Sequence, residues 1–162
     1  MRSLSAPGLP PASLPRGQGG KRFPGAPRTL DGVWLEQFTI VVDDYDQAIA
    51  FFTGALGFEL VEDSPALTTE GGRPKRWVVV RPPGERTGIL LARADSPDQV
   101  AVAGRQVAGR VGFFLRVDDF QAAYERMAAA GVEFVSAPRA EPYGHVAVFL
   151  DVAGNRWDLL GP

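Results

Sequence analysis

The chain has 162 residues, of which 45% are hydrophobic, with a formal net charge of −2 and no cysteine. That length suits one ordinary domain with a real core. The charge removes any electrostatic case for a nucleic-acid partner. The missing cysteines exclude disulfides, thiolate metal sites and cysteine nucleophiles, and fit a reducing cytoplasm, the expected location.

Residues 1–30 are rich in Pro, Gly, Ser and Arg and show no apolar periodicity, so a disordered N-terminal tail is expected there, with the folded domain over 31–162. No run of about 7–15 apolar residues follows the N-terminal charges, which argues against a secretory signal. Nothing elsewhere approaches the roughly 20 apolar residues of a membrane span, so no membrane partner is expected.

The first strand is predicted over 35–42, where Ile40, Val41 and Val42 form a β-branched run. Asp43 or Asp44 then caps a helix, with Gln47 three residues after Asp44 as a capping box requires. Tyr45, Ile49, Phe52 and Leu56 make one apolar stripe at helical period, and Gly57 supplies a left-handed stop. A strand resumes and ends near Asp63. Residues 64–74 read as a polar turn region, 76–81 as a strand, Pro82-Pro83-Gly84 as a forced turn and 87–93 as a fourth strand. Residues 94–109 have no clear period and read as a linker. Beyond it the pattern predicts a strand over 110–117, a helix over 119–130, and strands over 132–136, 145–151 and 156–160, the last two joined by a turn at Ala153-Gly154-Asn155.

The second series repeats the first. Val42-Asp43-Asp44-Tyr45 matches Val117-Asp118-Asp119-Phe120 after 75 residues, whereas Gly57-Phe58-Glu59-Leu60-Val61 matches Gly131-Val132-Glu133-Phe134-Val135 after 74. Capping pair, stripe, glycine and strand recur in register, so the chain is read as two βαβββ units over about 33–93 and 110–161, an α+β fold.

The segments FTIVVDDYDQAIAFFTGALGFELVED, VGFFLRVDDFQAAYERMAAAGVEF and EPYGHVAVFLDVAGNRWDLL, in that order, resemble the vicinal oxygen chelate superfamily, which includes glyoxalase I, extradiol dioxygenases, fosfomycin-resistance enzymes and bleomycin-resistance proteins. The resemblance covers about residues 33–161. It implies two half-barrels around a cavity, assembly as a homodimer, and a metal held by residues of the first, fourth, fifth and eighth strands. Those positions fall here on Gln37, Leu90 (or Leu91 after a one-residue slip), Gly112 and Asp158. Leucine and glycine offer no ligand atom, whereas a catalytic metal commonly takes three protein ligands. No cofactor is therefore expected, with a divalent metal the minor alternative.

Strand alternation places Thr39 and Val41 with Gln37, Phe114 and Arg116 with Gly112, and Arg156 and Leu160 with Asp158. The expected ligand site is thus Gln37, Thr39, Leu90, Gly112, Phe114, Arg116, Arg156 and Asp158, with Arg116 the first choice as ion partner of Asp158. Gly112 is expected to leave open the space that an imidazole fills in the family. Such an apolar pocket dotted with polar groups suits a small organic ligand. Asp158, Arg116 and His145, the single histidine, are the catalytic candidates if the protein is an enzyme. Three readings follow: a metal-free small-molecule binder of the bleomycin-resistance kind, serving in drug or metabolite sequestration; a metal-independent or divalent-metal lyase, isomerase or dioxygenase-type enzyme; and an interaction module with a filled cavity.

Overall fold

The computed structural model describes residues 32–66 and 74–162; the expected tail over 1–30 lies outside them, as does most of the predicted turn region. The compact unit considered is Trp34–Pro162.

Among the described residues eight strands form two four-stranded sheets. In the first, β1 (Gln37–Val42) runs parallel to β4 (Gly88–Arg93), which continues antiparallel through β3 (Lys75–Arg81) to β2 (Glu59–Ala66). In the second, β5 (Val111–Arg116) runs parallel to β8 (Arg156–Gly161), followed by β7 (Gly144–Leu150) and β6 (Arg139–Glu141). The orders β1-β4-β3-β2 and β5-β8-β7-β6 are the same order twice, so the repeat legible in the sequence is a repeat of topology.

The helices show why the two halves differ by one residue. Asp44 caps α1 (Tyr45–Ala50) by accepting from the Gln47 N–H at 2.9 Å. Asp119 caps α3 (Phe120–Ala129) by accepting from the Ala122 N–H at 2.9 Å. Then α1 runs on as a π-helical turn over Phe51–Ala55, in which the Leu56 N–H donates to the Phe51 carbonyl at 3.3 Å. A wider turn absorbs one extra residue without rotating the apolar stripe off the core. Both helices end in a left-handed glycine, Gly57 at φ 75° and Gly131 at φ 83°.

Two expectations need correction. The strand predicted over 132–136 is not a ladder. Phe134 makes an isolated bridge to Phe149, and the Ser136 hydroxyl accepts from the Val148 N–H at 2.9 Å, taking a bond that a backbone carbonyl would hold in a ladder. Pro138 has no N–H to continue it, and the outer strand forms only at Arg139–Glu141. The linker also holds a short helix, α2 (Pro97–Val102). Ser96 caps it by accepting from the Gln99 N–H at 3.3 Å, with Pro97 opening its first turn.

One core joins the halves. Ile40, Val42, Val78, Val80 and Leu91 from the first sheet, and Ala147, Phe149, Trp157 and Leu159 from the second, turn one face inward beside Tyr45, Phe52, Phe120 and Met127 from the helices. Full burial of each large side chain is worth about 1.5–3 kcal/mol. Where β7 turns into β8, Asp151 anchors this core. Its Oδ1 accepts from the N–H groups of Ala153, Gly154 and Asn155 at 3.0, 3.0 and 2.9 Å. Its Oδ2 accepts from Asn155 Nδ2 and Trp157 Nε1, both at 3.0 Å.

Candidate functional site

Because alternate residues of each strand feed the core, the remaining residues form two open sheet faces. On the first, Thr39 pairs with Leu90 and Leu90 with Val79, while Gln37 pairs with Gly88 one step along. Leu91 faces the core and is fully buried, so Leu90 is the fourth-strand position. Trp77, opposite Ser64 on β2, is 40% exposed. On the second face Phe114 pairs with Asp158, Asp158 with Val148, and Arg116 with Leu160. Phe114 is 64% exposed, the most exposed aromatic of β1–β8, which is costly for a phenyl ring without cover.

The four positions corresponding to metal ligands do not line one cavity. Gln37 lines a cavity of about 350 Å³ with Trp77, Val79, Arg81 and Glu62. Leu90 lines another of about 370 Å³ with Trp77, Tyr45 and Arg93. Gly112 and Phe114 line a third, of about 330 Å³, between the β3–β4 turn and β5, walled by Phe38, Phe58, Phe113 and Trp157. Arg116 lies in its continuation beside Glu85 and Asp118. Asp158 lines none of these.

Nor do the four make a metal site. Leu90 and Gly112 carry no donor, and the space beside Gly112 is filled, contrary to expectation. A Cβ added there would sit 2.2 Å from Val107 Cγ2, so the linker supplies the side chain that β5 lacks. Among the described residues no three His, Cys, Asp or Glu side chains gather in a way that could hold an ion.

Asp158 is half-buried with its Oδ1 shut away from solvent and without a hydrogen-bond partner. Burial raises its pKa above the ordinary carboxylate range, and the positive charge of Arg139 only partly offsets that. The expected ion pair with Arg116 is absent among the described residues, and so is one with Arg156; Arg139 itself bonds Glu141 at 2.9 Å. Arg116 and Arg156 are exposed at opposite ends of their strands, where water solvates a guanidinium better than a half-buried acid would. His145 is turned away from Asp158. It pairs with Gly161, three residues along β8 and so on the other face, and its ring lies 5.4 Å from that of Phe120. It therefore packs beside α3 and does not reach the open face.

Sequence reasoning left Trp77 undecided, because its strand aligns between the halves only with a one-residue slip, and missed Arg81, Gln106 and Val107. The Arg81 Nε is buried without a partner beside Trp77. Gln106, in the linker, bonds the outer edge of β1: its Oε1 accepts from the Val41 N–H at 2.7 Å and its Nε2 donates to the Thr39 carbonyl at 3.2 Å. The alternation of 76–81 would have placed Trp77 on the open face had the β2–β3 register been known; nothing in the sequence marks Gln106.

Two βαβββ modules with like strand order, one shared core and a pair of open faces define a glyoxalase-type fold. The model of the Glyoxalase/Bleomycin resistance protein/Dioxygenase superfamily matches residues 34–159, and the chain belongs to that superfamily. A protein of Shewanella frigidimarina (strain NCIMB 400), itself uncharacterized, is 49% identical over 127 residues, covering 78% of this chain and 91% of its own. Among solved structures, UcmS2 matches with TM-score 0.65 and 34% identity over 79% of this chain and 97% of its own. TnmS3, described as an antibiotic binding protein from Streptomyces sp. CB03234, matches with TM-score 0.64 and 28% identity over 83% of this chain and 99% of its own.

Proposed function

We propose that the protein binds a small organic molecule on its open sheet faces without a metal, in the manner of a sequestering protein. The carrying observation is the pair of faces themselves: Trp77 is exposed beside Gln37 and Arg81 on the first, and Phe114 beside Asp158 on the second. Exposed aromatic rings, each beside a few polar groups, favour a planar or largely apolar ligand. The likeness to an antibiotic binding protein supports the class of ligand. A second copy of the chain covers these faces in a homodimer and completes the site, since Val61, Trp77 and Phe114 are 45%, 40% and 64% exposed in the single chain. Among the described residues no helix is long and apolar enough to cross a membrane.

The test is equilibrium binding of a panel of aromatic antibiotics, followed by Trp fluorescence, with elemental analysis of protein purified without added metal. Saturable binding, unchanged ligand on recovery and no stoichiometric metal are expected. Stoichiometric zinc, iron or manganese overturns the metal-free reading.

Asp158 favours a second reading. A carboxyl held above its ordinary pKa and lacking a partner is suited to proton transfer. A metal-independent isomerase or lyase using it forms product in the presence of chelator and loses that activity in Asp158→Asn.

A further inference from the structure

We infer that residues 103–110 form a strap governing access to the ligand site proposed above, on which reading the inference rests. The strap begins where α2 ends, at Val102, and leads into β5, so it spans the two modules. Two neighbouring side chains fasten it, each to a different sheet.

Gln106 holds the first sheet. Among the described residues β1 has β4 on one side and no strand on the other. On the free side, the Gln106 carboxamide accepts from the Val41 N–H and donates to the Thr39 carbonyl. These are the two groups flanking Ile40 that one residue of a parallel neighbouring strand would bond. The side chain thus stands in for a strand residue, and does so while exposed to solvent. Only a group with both a donor and an acceptor can make this pair of bonds.

Val107 holds the second sheet. Its side chain fills the notch over Gly112, so closely that no Cβ could be added there. The contact is one of shape alone, with no polar group in it. Thr39 and Gly112, the residues at the two fastenings, are both expected ligand-site positions.

The backbone of the strap is under strain when closed. The Ala108 N–H donates to the Arg105 carbonyl at 2.9 Å and the Arg110 N–H to the Val107 carbonyl at 3.0 Å. Ala108, directly after the two fastening residues, sits at φ 50°, the only positive φ of a non-glycine residue among those described. Such a conformation persists where surrounding contacts over-determine it. Here those contacts are one exposed amide, one valine and, at the start of the strap, the packing of Gly104 against the Ala153–Gly154 backbone. Loss of the amide bonds releases the strain, lifts Val107 from its notch and uncovers Gly112, the position where the family places a metal-binding side chain.

The test measures hydrogen exchange at the Val41 amide together with the association rate of 8-anilinonaphthalene-1-sulfonate, in wild-type protein and in Gln106→Ala. The expected result is Val41 exchange faster by about fivefold or more, the effect of losing one ordinary hydrogen bond, with a severalfold faster dye association and an unchanged circular dichroism spectrum. Gln106→Glu adds a pH signature. At neutral pH its carboxylate accepts from Val41 but cannot donate to Thr39; protonated, at a pH below the ordinary glutamate value of about 4.3, it does both. The strap of Gln106→Glu is therefore held by one bond at neutral pH and by two in acid, and its dye association, compared with wild type at the same pH, is expected to slow towards the wild-type rate on acidification. Unchanged Val41 protection in Gln106→Ala overturns the strap. Lost protection with dye binding no faster overturns its control of access while leaving the ligand reading in place. Dye that binds to neither protein overturns the ligand reading, and control of access with it.

Discussion

Phe38 and Phe113 stack with ring centroids 5.6 Å apart and planes 15° from parallel, and they hold the same place in the two repeats. Each lies five residues before the first aspartate of its capping pair, Asp43 or Asp118. A residue of one module is thus set against its own counterpart in the other, and the stack is where the two halves of the chain meet between β1 and β5.

Phe113 also stacks on Trp157 at 4.6 Å, so it serves both the module contact and the core. Phe113→Ala is expected to cost less than the ~3–5 kcal/mol of a fully buried phenylalanine, because the ring is only partly buried. Phe38→Ala should cost less, because it loses one stack. A double-mutant cycle in urea should give a coupling of about 0.5–1.5 kcal/mol between the two rings. Zero coupling would mean that the rings are neighbours without being partners.

Asp151 is the second place where stability is concentrated, since five donors converge on its two oxygens. Asp151→Ala strands the N–H groups of Ala153 and Asn155 and two side-chain donors, whereas the Gly154 N–H keeps its bond to the carbonyl of residue 151. The expected loss is about 3 kcal/mol or more. Asp151→Asn should recover part of it, since the amide oxygen replaces one acceptor but its NH₂ opposes the donors facing the other. Chemical denaturation of both variants checks the order.

The repeat made the fold legible because it is written in residues with local jobs. Asp44 and Asp119 cap, Gly57 and Gly131 stop, and the stripe between them points to the core, all within reach of their own neighbours. Even the mismatch of 75 against 74 residues has a structural counterpart, the π-helical turn at Phe51–Ala55. The site was less legible because its chemistry depends on residues far apart in sequence. Val107 fills the notch at Gly112, and Gln106 reaches β1 from 65 residues away; no periodicity carries such contacts. Arg116 was the expected partner of Asp158 because alternation placed it on the right face, but alternation fixes a face and says nothing of distance or solvent. The second outer strand was misplaced because the signal in 132–136 is real, yet Ser136 and Pro138 break the ladder that it would start.

Asp158 gives the protein a pH dependence with a definite sign. Its pKa is raised on folding by burial, so the folded state holds this proton more tightly than the unfolded one. Stability from this residue is therefore fully present below the unfolded pKa and falls as pH rises through the window between the unfolded and folded values. At neutral pH the buried carboxylate is a net cost, and Asp158→Asn is expected to raise the melting temperature there. The gain should vanish below the ordinary aspartate range. Asp63 acts in the opposite sense: its bonds to the Arg76 guanidinium lower its pKa, so its contribution is present at neutral pH and lost as pH falls through the folded value. That pair is solvent-accessible, and its share is small. Thermal melts of wild type and Asp158→Asn across the acid range separate the two.

Gly112 offers the sharpest steric test. Any β-carbon there falls 2.2 Å from Val107 Cγ2 and 3.1 Å from Val107 Cβ, distances that no side-chain rotation at Val107 relieves completely, because its Cβ is fixed to the strap backbone. Gly112→Ala is therefore expected to destabilise the fold by about 1–3 kcal/mol, the usual cost of overpacking. A larger residue such as phenylalanine cannot be placed as a harmless plug, since it must displace the strap before it reaches the site. If Val107 alone sets this cost, Val107→Gly should leave a small cavity in an otherwise wild-type chain but make Gly112→Ala nearly neutral. The double variant Gly112→Ala/Val107→Gly should then be more stable than Gly112→Ala, an inversion that simple additivity forbids. Two independent, additive losses would show that the notch and the valine are not in contact, and the strap would lose its second fastening.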